Sequence, residues 1–263
     1  MLFAMKDQVI VVTGASAGIG AAVARRAGAA GARVVLAARR RAELEAVARE
    51  SGPDALAVVT DVTVRAEVEA LARAAIERFG HVDVWINNAG RGITRMVSEL
   101  TDEDLDAMIR DNVKSALYGV QAILPHFRAR GAGQIVNVSS MLGRVPFAPF
   151  RSAYSAAKHA LNALTACLRM ELRASCPGVV VTLVSPGVVA TDFGLSALHG
   201  GMDSRTLPNA QPVAEVAEVV LDAIRERRID AYTQPGGAAL VRGYFDDIEA
   251  HERASPFAQP RRP

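Results

Sequence analysis

The stretch "QVIVVTGASAGIG" (8–20) decides how the chain is read. Its first half is a continuous apolar, β-branched run, as expected of a strand covered on both faces. Its second half sets Gly14, Gly18 and Gly20 where that strand must turn and a helix must begin. Glycine permits the tight turn and lets a ligand approach the backbone closely. The helix start then offers unpaired N–H groups to an anion. Strand, glycine-rich turn and helix, in that order, are the context a phosphate cradle requires. The loop therefore reads as dinucleotide-binding, with Gly14, Ser16, Gly18, Ile19 and Gly20 as its contacts. Its spacing, TGxxxGxG, is one residue wider than the GxGxxG fingerprint.

That fingerprint expects an acid at the end of the second strand, where it holds the adenosine ribose. Here the position is Ala38, followed by Arg39, Arg40 and Arg41. A carboxylate would repel a 2′-phosphate, whereas a guanidinium pairs with one. The expectation is NADP(H) preferred over NAD(H), with Arg39 as the main contact and Arg40 in support. Asp61 and Val62 close a third apolar run. Asp61 has two readings: an acceptor for the adenine amino group, or the cap of the helix that follows.

Further out, the apolar runs recur at 33–38, 55–60, 82–87, 134–139, 179–184 and 229–233. Ala-rich amphipathic stretches separate them, near 18–30, 41–50, 64–79, 101–129, 154–175 and 213–227. This alternation predicts an α/β, Rossmann-like, doubly wound parallel sheet of about seven strands with helices on both faces. No Pro/Gly/Ser-rich linker divides 1–263, so one domain is expected. Two irregular segments, 141–152 and 194–212, follow strand ends on the carboxyl side of the sheet, where ligands of such sheets bind. The end, "SPFAQPRRP" (255–263), reads as a flexible tail.

Bulk properties exclude several classes. Lys and Arg total 30 against 28 acidic residues, and aromatics are sparse, so no nucleic-acid partner is indicated. Cys167 and Cys176 make neither a disulfide framework nor a metal site, and read as a buried thiol and a loop thiol. The five histidines lack metal-ligand spacing. No apolar run approaches the ~18 residues of a membrane span. No signal-peptide core is visible at the N-terminus, and a cytoplasmic protein is expected.

In "AYSAAKHA" (153–160), Tyr154 and Lys158 stand four apart on a helical pattern and so share a face. An ordinary half-exposed helix face would also carry such a pair. Taken with "TGASAGIG" (13–20), "NNAG" (87–90), Asn112, Ser140, "YSAAK" (154–158) and "SPGVVAT" (185–191), however, the chain resembles the short-chain dehydrogenase/reductase family, in its single-domain branch. These motifs cover positions 9 to 191 in the family's order.

The resemblance implies a role for each matching residue. Tyr154 would be the general acid that protonates a carbonyl oxygen as hydride arrives. Lys158 would lower its pKa and bind the nicotinamide ribose. Ser140 would orient the substrate oxygen, and Asn112 would hold a relay water. Asn88, Ala89 and Gly90 would lie along the ribose. Pro186, Gly187 and Thr191 would border the nicotinamide. Two departures stand out: Ser140 lies fourteen before Tyr154, one more than usual, and Ala17 replaces a basic residue common in NADP-preferring members. Ser139 is the alternative to Ser140.

The substrate-side segments supply Met141, Phe147, Phe150, Val188, Phe193 and Leu195, which suggest an apolar pocket for a ketone or aldehyde, or for the matching alcohol. A non-catalytic dinucleotide-binding regulator on the same fold is the alternative, and the intact Ser140, Tyr154 and Lys158 argue against it. A sugar-nucleotide epimerase relative is disfavoured by the short region after Thr191. Family members commonly form homodimers and homotetramers, and the Ala- and Leu-rich helices at 101–129 and 154–175 fit that.

Overall fold

The computed structural model describes residues 5–255. Its strands are β1 (Val9–Thr13), β2 (Arg33–Ala38), β3 (Leu56–Val59), β4 (Val84–Asn87), β5 (Gly133–Val138), β6 (Val179–Ser185) and β7 (Asp230–Tyr232). They pair in parallel, in the order β3-β2-β1-β4-β5-β6-β7. The chain starts mid-sheet, runs out to β3, and crosses back to lay β4 against β1. A crevice opens at the carboxyl ends of the strands where that direction reverses.

Strand residues alternate between two cores. Ile10, Val12, Leu36, Ile86 and Val136 face α1 (Gly18–Ala29), α2 (Arg41–Glu50) and α7 (Val213–Arg225). Val9, Val11, Trp85, Ile135 and Val181 face α3 (Arg65–Phe79), α5 (Ser115–Arg130) and α6 (Ser152–Ser175). Because both faces are covered, the strands read as unbroken apolar runs rather than alternating ones. Burying each large side chain contributes roughly 1.5–3 kcal/mol. Polar side chains inside this layer are paired: Asn87 donates to Asn137 at 2.9 Å, and Asn137 to Thr165 at 2.9 Å.

The helix expected over 101–129 is interrupted. Thr101 opens α4 (Asp102–Ile109) with a capping box, accepting from the Asp104 N–H while the Asp104 carboxylate accepts from the Thr101 N–H. A π-turn at Arg110–Lys114 then leads into α5. Such widened turns recur at functional sites, and this one carries Asn112. Two helices not anticipated from sequence, α8 (Gly237–Asp246) and α9 (Ile248–Ala254), follow β7. Two glycines in α8 and the shortness of α9 hide both from a periodicity search. The two thiols depart from expectation: Cys167 is exposed, on the outer side of α6, and Cys176, which caps the end of that helix, is the buried one. Of the expected tail, Ser255 donates to the Phe147 carbonyl at 2.7 Å, and 256–263 lie outside the described residues.

Candidate active site

The glycine-rich turn lies at the reversal point. Gly14 has φ +66°, and a Cβ there would stand 2.9 Å from both Ala89 Cα and Asn88 Nδ2. The N-terminus of α1 begins at Ala17 with no side-chain cap and no acid in its first turn. Its free N–H groups therefore await an anionic acceptor. A close-packed backbone cradle with unclaimed donors fits the pyrophosphate of a nicotinamide dinucleotide. Ile19, in the first turn of α1, packs against the core below.

Asn88 links the first and fourth strands. Its side-chain amide donates to the Thr13 carbonyl at 2.9 Å, and its backbone N–H to Thr13 Oγ1 at 3.0 Å. Ala89 N–H donates to the same hydroxyl at 3.1 Å. Across the loop, Thr191 Cγ2 would lie 3.4 Å from a Cβ on Gly18. The wall beyond is built from Pro186, whose carbonyl accepts from Met141 N–H at 2.7 Å, and Gly187, where Gln234 fills the space a side chain would need.

At the adenosine end the two arginines differ. Arg40 donates to Ser16 Oγ at 3.1 Å and 3.3 Å, which seats it over the glycine turn. Arg39 is more exposed and stands 4.0 Å from Asp61. Asp61 Oδ1 accepts from Thr63 N–H at 2.9 Å and Thr63 Oγ1 at 2.7 Å. Burial raises its carboxyl pKa, but these Thr63 bonds and the Arg39 and Arg110 charges outweigh that and hold it low. It forms a local turn and does not cap α3, whose N-cap is Val64. Val62 is half-buried against the core.

Ser140, Tyr154, Lys158 and Asn112 come together inside the protein. All four are buried. The 3-10 turn at Met141–Gly143 begins at Ser140, whose hydroxyl accepts from Leu142 N–H at 3.1 Å. Ser139, the alternative serine, turns its hydroxyl to Asn162 at 2.5 Å. Asn112 accepts from Arg91 N–H at 3.2 Å and donates to the carbonyls of Arg91 and Met108 at 2.9 Å and 3.1 Å. A Cβ on Gly90 would meet Asn112 Oδ1 at 2.7 Å and Lys158 Nζ at 3.5 Å, so only glycine lets these two approach.

Burial dominates at Tyr154 and pushes its phenol up to about 12, against the Ser140 hydrogen bond and the Arg151 charge, both of which lower it. Lys158 lies 5.6 Å from the tyrosine ring and donates to the Val138 carbonyl at 3.0 Å. Its own pKa falls to about 8 through burial. The Arg151 charge, which the sequence reading passed over, also favours the phenolate.

Of the substrate-side residues, Phe193 packs on Tyr154 with ring centroids 5.5 Å apart. Met141 is buried beneath the site, and Val188 accepts a backbone bond from Gln211 at 2.9 Å. Phe150 lies under the Arg151 guanidinium at 5.6 Å, and Phe147 is half-buried and bonded to Ser255. Leu195 is exposed and is not brought to the tyrosine. Sequence reasoning missed Ile93, Met108 and Leu198, which pack with Tyr154 and Phe193 in a small separate core. Nothing in their local pattern marks them, because the bridge pairing Ile93 with Leu198 joins residues more than a hundred apart.

A parallel sheet with this strand order and this cradle defines a Rossmann-type dinucleotide-dependent protein. The short chain dehydrogenase family model matches residues 8–199. An uncharacterised oxidoreductase of Bacillus subtilis, YxnA, is 37% identical over 244 residues, covering 90% of this chain and 68% of that one. A short-chain dehydrogenase/reductase of Burkholderia phymatum, solved in complex with NAD, superposes with a TM-score of 0.84 at 30% identity, covering 99% of each chain. A short chain dehydrogenase of Burkholderia cenocepacia, solved with NADP, gives a TM-score of 0.81 at 28% identity over 97% of this chain and 99% of that one. The chain belongs to the short-chain dehydrogenase/reductase family. It is an NAD(P)-dependent oxidoreductase acting on CH–OH groups. No helix among the described residues is long and apolar enough to cross a membrane, and no cluster of His, Cys, Asp or Glu there could hold a metal ion.

Proposed function

We propose that this protein interconverts an apolar ketone or aldehyde and its alcohol, preferring NADP(H), with Tyr154 exchanging the proton. The observation that carries this reading is the shared burial of Tyr154, Ser140 and Lys158, with the Lys158 ammonium one helical turn on and 5.6 Å from the tyrosine ring. A bound nicotinamide cofactor supplies or accepts the hydride. In reduction, Tyr154 delivers its hydroxyl proton to the substrate oxygen, and in oxidation it takes that proton back. Ser140 Oγ donates to the same substrate oxygen and stabilises its developing charge. Lys158 and Asn112 meet at Gly90, which puts the ammonium where a ribose hydroxyl would lie and keeps a polar route open toward the π-turn.

Cofactor contacts are assigned to Gly14, Ser16, Gly18, Ile19 and Gly20 at the pyrophosphate. Arg40, Arg39, Asp61 and Val62 take the adenosine end. Asn88, Ala89 and Gly90 line the ribose, and Pro186, Gly187 and Thr191 the nicotinamide. The seat of Arg40 on Ser16 supports the NADP(H) preference, since a 2′-phosphate there would meet a preoriented guanidinium. Phe193 heads the apolar substrate wall, with Met141, Phe147, Phe150, Val188 and Leu195 further out. We further assign one domain, a cytoplasmic location and a homodimer or homotetramer. Exposed Leu164, Cys167 and Met170, spaced along one stripe of α6, support such an assembly.

The test is NADPH oxidation against a panel of ketones and aldehydes, with Tyr154→Phe beside the wild type. Turnover is expected to fall by roughly 10²–10⁴-fold in the variant, while NADPH binding is retained. Equal turnover in the two proteins would overturn the assignment. NADPH binding without turnover of any carbonyl would favour the regulatory alternative.

A further inference from the structure

His199 lies in the 192–212 segment with φ +62°, a left-handed conformation that residues with a side chain hold only when their surroundings enforce it. Here a carboxylate on another element does so. His199 Nε2 and Asp104 Oδ1 stand 2.6 Å apart. A carboxylate only accepts, so the proton of this contact lies on Nε2. Asp104 sits in the first turn of α4 and is buried. Its Oδ2 accepts from Arg95 Nη1 at 3.1 Å and from Thr101 N–H at 3.3 Å. The His199 bond, more than any other contact, holds the Asp104 carboxyl below its usual range.

The same stretch is stitched to residues 91–95. Leu198 N–H donates to the Gly92 carbonyl at 2.8 Å, and the Leu198 carbonyl accepts from Thr94 N–H at 3.0 Å. Thr94 Oγ1 donates to the Gly200 carbonyl at 2.6 Å, and Arg91 Nε to that of Ser196 at 3.3 Å. The Arg91 backbone in turn bonds through both its N–H and its carbonyl to Asn112, in the π-turn to which α4 leads. At the near end of the segment, Phe193 lies on the Tyr154 ring with centroids 5.5 Å apart. The contacts form a circuit from α4 through His199 and the segment to 91–95, then through Asn112 back to α4. Asp104 and His199 make the side-chain link that closes it.

We propose that His199 and Asp104 form a latch: the pair holds the 192–201 stretch against α4 and so fixes where Phe193 presents the substrate wall to Tyr154, which makes His199 a positioning residue for the reaction. This rests on the reading of Tyr154 as the proton-exchanging group and of Phe193 as substrate wall. Were His199 only a turn residue, its side chain would be dispensable. Asparagine, which tolerates positive φ, would then serve as well or better.

The test compares His199→Asn with His199→Gln. Asparagine suits the backbone but is too short to reach Asp104, whereas the glutamine amide nitrogen falls near the place of Nε2 and keeps the donor. Amide hydrogen exchange at fixed pH, read by mass spectrometry over peptides spanning 91–95 and 192–201, needs no turnover and so stands whether or not a substrate has been found. Both peptides are expected to exchange about tenfold to a hundredfold faster in His199→Asn and to stay near the wild type in His199→Gln. Unchanged exchange in β1 and β5 reports that each variant is folded. For a carbonyl the enzyme reduces, KM should rise on the order of tenfold in His199→Asn, with kcat moving less, and recover in His199→Gln. Wild-type protection in His199→Asn, or a greater loss in His199→Gln than in His199→Asn, would overturn the latch. Faster exchange with KM unchanged would reduce His199 to a strut and leave the assignment of Tyr154 standing.

Discussion

Gly20 and Asn88 compete for one space: a Cβ on Gly20 would stand 2.5 Å from Asn88 Nδ2 and 2.5 Å from the Gly14 carbonyl oxygen. The first helix is pressed onto the loop that starts it, with an amide from beyond the fourth strand as the spacer. That amide is fixed by the Thr13 carbonyl and so is not free to retreat.

Gly20→Ala should therefore damage the cradle. Alanine in a helix gains about 1 kcal/mol over glycine in propensity. Overpacking costs about 1–3 kcal/mol, and here one of the atoms in the way is backbone, so the second effect wins. A lower Tm and an NADPH Kd raised on the order of tenfold, about 1.4 kcal/mol, are expected by thermal melting and calorimetric titration. Unchanged affinity would show that the loop has slack the geometry denies.

Arg40→Ala should weaken NADPH more than Arg39→Ala does. A charge-assisted hydrogen bond contributes about 1.5–3 kcal/mol, which is on the order of tenfold to a hundredfold in Kd. NADH, lacking the 2′-phosphate, should bind both variants almost as it binds the wild type. Fluorescence titration of the two cofactors decides the matter. Greater damage from Arg39→Ala would return the phosphate to the residue favoured by sequence position.

Lys158 makes stability depend on pH in a direction unlike most surface lysines. Burial lowers its pKa to about 8 in the folded protein, against ~10.4 unfolded, so the folded state binds its proton less well. The resulting penalty is fully present below about 8 and fades as pH rises toward ~10.4. Its size is about 3 kcal/mol. Lys158→Met removes the penalty but leaves the Val138 carbonyl without its donor, a cost of about 1–3 kcal/mol. Urea unfolding at about pH 7 should find the variant as stable as the wild type or slightly more so, and near pH 10 it should be less stable. A stability gap that is equal at both pH values would mean that no buried charge sits there.

Much of the architecture was legible in the linear pattern. All seven apolar runs became strands within a residue or two of their expected bounds, because a strand covered on both faces leaves an unbroken apolar signature. The glycine turn was visible for the same local reason: a positive φ at Gly14 and the crowding around Gly20 admit no larger residue. α8 and α9 were not visible, since short or glycine-bearing helices lack the repeat that betrays longer ones. The break at Arg110–Lys114 was also hidden, because a π-turn keeps the helical composition and changes only the hydrogen-bond spacing.

The amino-acid sequence by itself determined the strand–turn–helix order, the family, and which tyrosine and lysine share a helix face. Those rest on local backbone preference and on residues a fixed number of positions apart. The tertiary structure alone decided the charges around them. Lys158 turns to a strand carbonyl, and Arg40 rather than Arg39 closes on Ser16. Burial and through-space charge depend on what the fold packs against a group, and the partners of Arg151, at Ile93 and Phe193, come from segments far along the chain.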